Sequence, residues 1–168
     1  MESKSFSFFT PEKEIEYLRY AIEVSRLARE HGNTPFGAIL AAPDGKVLME
    51  QENVEVLTHD ATAHAELALI RRASMAYTPE FLSECSLYSS CEPCAMCAGA
   101  VYWANIGRLV YAMAESDLFS INGNHRDKPS LNSSCRSILG QGQKSIIVSG
   151  PSEELRAEAL AIHNKYWD

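Results

Sequence analysis

The chain has 168 residues, 46% of them hydrophobic and 22% charged, enough for one globular domain with a substantial core. Fifteen Lys and Arg against twenty-two Asp and Glu leave a net charge of −7, which argues against a general polyphosphate binder. Nine Gly and seven Pro without a low-complexity tract exclude collagen-like and disordered chains, and the longest mostly apolar stretch, Cys94 to Ala104, is too short to span a bilayer.

Met1-Glu2-Ser3-Lys4 leads through Phe6, Phe8 and Phe9 to Thr10 without an apolar signal core, so the expected location is cytoplasmic. Thr10-Pro11-Glu12 reads as a helix start, with a capping hydroxyl, proline in the first turn and acidic residues at the positive end of the dipole. Ile15, Leu18 and Ile22 continue at helical spacing and Gly32 stops the helix. Phe36 to Ala42 and Lys46 to Gln51 form a hairpin around Pro43-Asp44-Gly45. Asp60 to Tyr77 is a second helix capped by Asp60, and Ser86 to Ser89 a third strand. Cys94 to Trp103 is a third helix, and Arg108 to Ala112 a fourth strand. Residues 122–142 are polar and turn-rich and predict an irregular crossing or a short helix. Lys144 to Ser149 is a fifth strand, and Ser152 to Tyr166 a last helix capped by Ser152. Strands alternating with helices predict an α/β layer fold over residues 1–168, with a mainly parallel sheet after the first hairpin.

Of five cysteines, Cys85, Cys91, Cys94 and Cys97 crowd together while Cys135 stands apart, a pattern of metal chemistry rather than a disulfide framework. Cys94 and Cys97 share one face of a helix's first turn, where unpaired N–H groups favour thiolates, the form zinc needs. His64 supplies an imidazole, and three protein ligands leave a fourth tetrahedral position open, which is the catalytic arrangement. Glu66, two residues on, projects to another side and is placed for general acid–base work on water. The competing reading is a closed structural zinc site with Cys91 or Cys85 as fourth ligand, which leaves Glu66 without a purpose.

The His64-Ala65-Glu66 and Pro93-Cys94-Ala95-Met96-Cys97 segments together resemble the signature of the cytidine/deoxycytidylate deaminase superfamily, from Phe36 to about Asp117. The resemblance implies a three-layer α/β/α cytidine deaminase-like fold with a five-stranded mixed sheet, one zinc ion per subunit and a homodimer. It also implies hydrolytic removal of an exocyclic amino group from a base. Pro35-Phe36-Gly37-Ala38, Asn53 and Tyr102-Trp103-Ala104 look like the purine branch of guanine deaminases and tRNA adenosine deaminases. By that resemblance guanine would give xanthine and ammonia, with Glu66 carrying the protons. Asn53 would hydrogen-bond the base, Phe36 and Trp103 would sandwich it, and Asp117 would accept from its ring N–H groups. Tyr166 and Trp167 are candidate C-terminal contributors, because the branch's tail reaches a partner's site. Residues 131–136 depart from that pattern.

Other small substrates stay open at this point: cytosine, cytidine, guanosine, an aminated triazine or a pterin. A tRNA adenosine deaminase would need a basic face, and Arg126, Lys128, Arg136 and Lys144 offer only scattered charge in a solvated loop. A non-catalytic zinc-binding interaction module is the alternative of another class.

Overall fold

The computed structural model describes residues 6, 8–122, 131 and 133–167. Helix α1 (Pro11–Glu30) starts where the sequence predicts, with the Thr10 hydroxyl accepting from the Lys13 N–H at 3.4 Å. It leads into β1 (Gly37–Ala41) and β2 (Val47–Glu52), then a short α2 (Glu55–Thr58) and α3 (Ala65–Ala76). Next come α4 (Pro79–Leu82), β3 (Ser86–Cys91), α5 (Ala95–Trp103), β4 (Arg108–Met113) and α6 (Glu115–Asn122). The chain finishes with α7 (Cys135–Leu139), β5 (Ile147–Ser149) and α8 (Arg156–Ile162).

The five strands form one sheet in the order β2-β1-β3-β4-β5. The β1 strand pairs antiparallel with β2 and β3, while β3–β4 and β4–β5 are parallel. Every residue of β3 and β4 is buried, as befits strands covered on both faces. Alternation along β1 shows why there are three layers. Ile39 and Ala41 pack with Leu18 and Ile22 of α1 and Ala159 of α8, whereas Ala38 and Leu40 pack with Leu69 of α3 and Val101 of α5. Among the described residues no helix is long and apolar enough to cross a membrane.

Several boundaries differ from the sequence reading, among them β5, which starts at Ile147 and not at Lys144. The α3 helix begins at Ala65 and not after Asp60, because the Asp60 carboxylate is committed to the Thr62 N–H and hydroxyl at 2.8 and 2.6 Å. His64 is the cap instead, in extended conformation. The last helix is shorter: the Ser152 hydroxyl accepts from the Leu155 N–H at 3.2 Å, but regular helix runs only from Arg156 to Ile162. Lys165 then takes a left-handed φ of 57°, and the chain turns away from the helical path before Tyr166 and Trp167. Between 122 and 142 the structure shows α7, while Arg126 and Lys128 lie outside the described residues.

Candidate metal centre and active site

Two helix N-termini converge at the C-terminal end of β3. His64 caps α3 and Cys94 caps α5, so both stand where unpaired N–H groups and the positive dipole end favour anions. Cys97 follows in the first turn of α5. His64 Nδ1 lies 3.6 Å from Cys94 Sγ and 3.7 Å from Cys97 Sγ, and one donor atom from each residue lies within 4.8 Å of the other two. Tetrahedral zinc with ordinary Zn–S and Zn–N bonds requires nitrogen–sulfur edges of about 3.6 Å, so this donor set fits the ion.

Electrostatics agrees with the geometry. Hydrogen bonding from the Cys97 thiol, and then from His64, lowers the Cys94 thiol to about 4. The same pairing, with burial, pushes Cys97 up. His64 rises to about 9 beside the Cys94 thiolate. The fourth-ligand candidates of a closed site are not in the cluster. Cys91 is buried, with its proton affinity raised well above the ordinary range by burial. The Cys85 S–H donates to the Phe81 carbonyl, and burial pushes it up to about 12.

Glu66 is 5% exposed, with Oε1 accepting from the Ser89 hydroxyl at 2.9 Å and Oε2 lying 3.6 Å from the Cys97 thiol that donates to it. Burial raises its proton affinity, and the Cys94 thiolate adds to the effect. Both His64 and Glu66 open onto a cavity of about 560 Å³, whose lining includes Phe36, Cys94, Glu115, Leu131, Tyr166 and Trp167. Phe36 packs against His163 at 5.1 Å and Trp167 at 6.5 Å between ring centroids, and Trp167 lies parallel to His163. The C-terminal aromatics therefore reach the cavity within one chain.

Three expected substrate contacts are placed elsewhere. Trp103 is 80% exposed and does not line the cavity, because it ends the helix that Cys94 begins, about 13 Å along the axis. Asp117 is buried in another use: Oδ2 accepts from the Ala114 N–H at 3.0 Å and from Arg156 Nε at 2.8 Å, and Oδ1 pairs with Arg156 Nη2. It caps its own helix and ties α6 to the residue that opens α8. Asn53 is fully buried and does not line the cavity, with its amide donating to Glu55 Oε2 at 3.2 Å and its carbonyl accepting from the Glu55 N–H at 3.0 Å.

That contact exposes a residue the sequence reading missed. Glu55 Oε2 lies 3.5 Å from His64 Nε2, the ring nitrogen turned away from the sulfurs, and Oε1 accepts from the Thr34 hydroxyl at 2.7 Å. A carboxylate in that position fixes the imidazole's tautomer and orientation. Glu92 is a second omission. Its oxygens accept from the first N–H groups of α6 and α7, Glu115 at 3.2 Å and Cys135 at 2.9 Å. The Asn53-x-Glu55 spacing of a side-chain-closed turn was the available signal for Glu55; nothing local announces the partners of Glu92.

The family model of the cytidine and deoxycytidylate deaminase zinc-binding region matches residues 11–113. The chain belongs to this family. A probable cytosine deaminase of Schizosaccharomyces pombe is 38% identical over 157 residues, covering 94% of each chain. A guanine deaminase of Bacillus subtilis is 43% identical over 83 residues, 49% of this chain and 53% of the relative. Among solved structures, a guanine deaminase from Nitrosomonas europaea is 27% identical, with a TM-score of 0.74 over 94% of this chain and 84% of that one. The protein is thus a hydrolytic C–N deaminase of the nucleobase or nucleoside type, with zinc as its cofactor.

Proposed function

We propose that this deaminase acts on a small free base, and on guanine first, converting it with water to xanthine and ammonia. The observation that carries the reading is the aromatic wall of Phe36, Tyr166 and Trp167, which faces the same cavity as Glu66 and the donor cluster. A flat heterocycle gains from aromatic faces, and a few polar groups then fix its orientation. The full-length likeness to the Nitrosomonas guanine deaminase supports a purine. Cytosine is the second reading, favoured by the full-length likeness to the Schizosaccharomyces enzyme.

In this reading His64, Cys94 and Cys97 hold the zinc, which when bound supplies an activated water. Glu55 steadies His64 through Nε2. Glu66 takes a proton from the attacking water and gives it to the ring nitrogen beside the amino-bearing carbon; it then takes a second proton from the hydroxyl now on that carbon and passes it to the amine, which leaves as ammonia while the C=O forms. Burial suits Glu66 to this, since a carboxyl that must accept and release a proton near neutrality works best with its affinity raised. The aromatic wall orients the ring and excludes bulk water. We extend the proposal to a cytoplasmic homodimer in purine metabolism, with a sedimentation mass twice that of the chain.

Ammonia release from the zinc-loaded protein with guanine, guanosine, adenine, cytosine and cytidine tests the substrate. Guanine should lead the panel by at least about tenfold in kcat/KM. Preference for cytosine would replace the first reading with the second, and no turnover of any base would remove both.

A further inference from the structure

We infer that Glu115 is a second substrate-holding carboxyl, with one oxygen accepting an N–H of the exocyclic amino group that is removed. This rests on the free-base reading above. Glu115 opens α6, is 7% exposed and lines the cavity that holds Glu66 and Cys94. Its main chain is fixed by the Glu92 carboxylate, and the Glu92 N–H in turn donates to the Met113 carbonyl at 2.8 Å.

Its side chain stands apart from the other carboxyls around the site. Glu66 has the Ser89 hydroxyl, Glu92 has two backbone N–H groups, and Glu55 has Thr34 and Asn53. Asp117, two residues on, has Arg156. For the Glu115 carboxyl the one hydrogen-bonding neighbour among the described residues is the Cys91 thiol, a weak donor at 4.0 Å. A carboxyl more than nine-tenths buried without a good donor is costly, and it is made whole by a ligand that brings one. In either protonation state it keeps an oxygen able to accept. Glu115 and Cys91 line the same cavity as Glu66, His64 and Cys94, so the Glu115 carboxyl forms part of the wall that a bound base meets. The substrate donor we assign to it is the amino group attached to the carbon under attack, since that group enters the cavity with the carbon that Glu66 serves.

Zinc-loaded Glu115→Leu, which removes the acceptor, should raise KM for guanine about tenfold or more. The inhibition constant of hypoxanthine, which has the same rings without the amino group, should stay within about twofold of wild type. Glu115→Gln, which keeps the shape and one acceptor oxygen, should give a smaller rise in KM with hypoxanthine again unmoved, and serves where the leucine variant fails to fold. If the panel finds another base, that base and its analogue lacking the amino group take these places. An unchanged KM overturns the inference, as does an equal loss for both ligands, which marks general packing. Wild-type turnover in the base panel tests the earlier reading separately, so an active wild type with an indifferent Glu115 variant rejects this inference alone.

Discussion

Glu66 and Glu55 stand on two sides of His64 and are expected to fail differently when altered. Glu66 meets the cavity, where its carboxyl accepts from Ser89 and borders Cys97, and it supplies no atom to the donor cluster. Glu66→Gln should therefore keep a full complement of zinc and lose about 100- to 10,000-fold in kcat, the span of general acid–base catalysis. Glu55 touches His64 through the ring nitrogen remote from the sulfurs. Glu55→Gln should retain turnover per bound zinc and weaken zinc binding about 10- to 100-fold. Competition with a chromophoric chelator, alongside kcat referred to zinc content, separates the two. A Glu66→Gln variant with near-normal kcat would remove that residue from proton transfer.

At the scale of elements, the site depends on how closely α1 lies on the sheet. Gly37 begins β1, directly after the cavity residue Phe36, and a Cβ there would meet Ser25 N, fall 2.6 Å from the Ala21 carbonyl oxygen and 2.7 Å from Val24 C. All three are backbone atoms, so no rotamer change relieves the clash and α1 must move. Gly37→Ala should cost about 1–3 kcal/mol, read as a drop of several degrees in Tm, with KM rising because Phe36 shifts too. An unchanged Tm would show that the helix–strand contact is looser than this geometry.

The first hairpin, α1 and α5 were legible because each carries its own pattern: a cap and proline before α1, the Pro43-Asp44-Gly45 turn between the first two strands, and Pro93 before the Cys94 cap. The metal donors were legible for the same reason, since their spacing is local to two helix starts. Of the expected base contacts, Phe36, Tyr166 and Trp167 do line the cavity, and Trp103, Asp117 and Asn53 do not. Trp103 and Asp117 look like ligand contacts by position, yet the length of α5 carries Trp103 away and a salt bridge to Arg156, 39 residues on, claims Asp117. Trp167 enters the cavity through a left-handed turn at Lys165, a residue type that does not announce one.

For the whole molecule, that C-terminal turn links stability to pH through His163. The imidazole is 2% exposed, packed against Phe36 and parallel to Trp167, and its Nδ1 has no hydrogen-bond partner among the described residues. Burial lowers it to about 4, and the Arg29 cation adds to the effect. The folded state thus binds the proton less readily than the unfolded chain, whose imidazole titrates near its ordinary value of 6.5. Above that value both states are neutral and His163 is without effect. As pH falls from 6.5 toward 4 the unfolded chain gains the proton first, and the fold loses up to about 3 kcal/mol.

Glu115 acts in the opposite direction in the metal-free protein. Burial, then the Cys94 thiolate, raises it to about 8, so its stabilisation is full below the ordinary carboxyl value of 4.5 and is lost progressively as pH rises from there through 8. The two groups predict a stability maximum between about pH 4.5 and 6.5, where their opposed slopes offset. In metal-free protein, Tm followed from pH 4 to 9 should fall less from pH 6.5 to 4 in His163→Met and fall less from pH 6.5 to 8 in Glu115→Gln, while between 4.5 and 6.5, where the two effects oppose, each variant exposes the slope of the other group. Comparison with wild type cancels the carboxylates common to all three chains. A His163→Met variant that keeps the full loss between pH 6.5 and 4 would place the acid sensitivity elsewhere and free the Trp167 wall from any tie to proton uptake at His163.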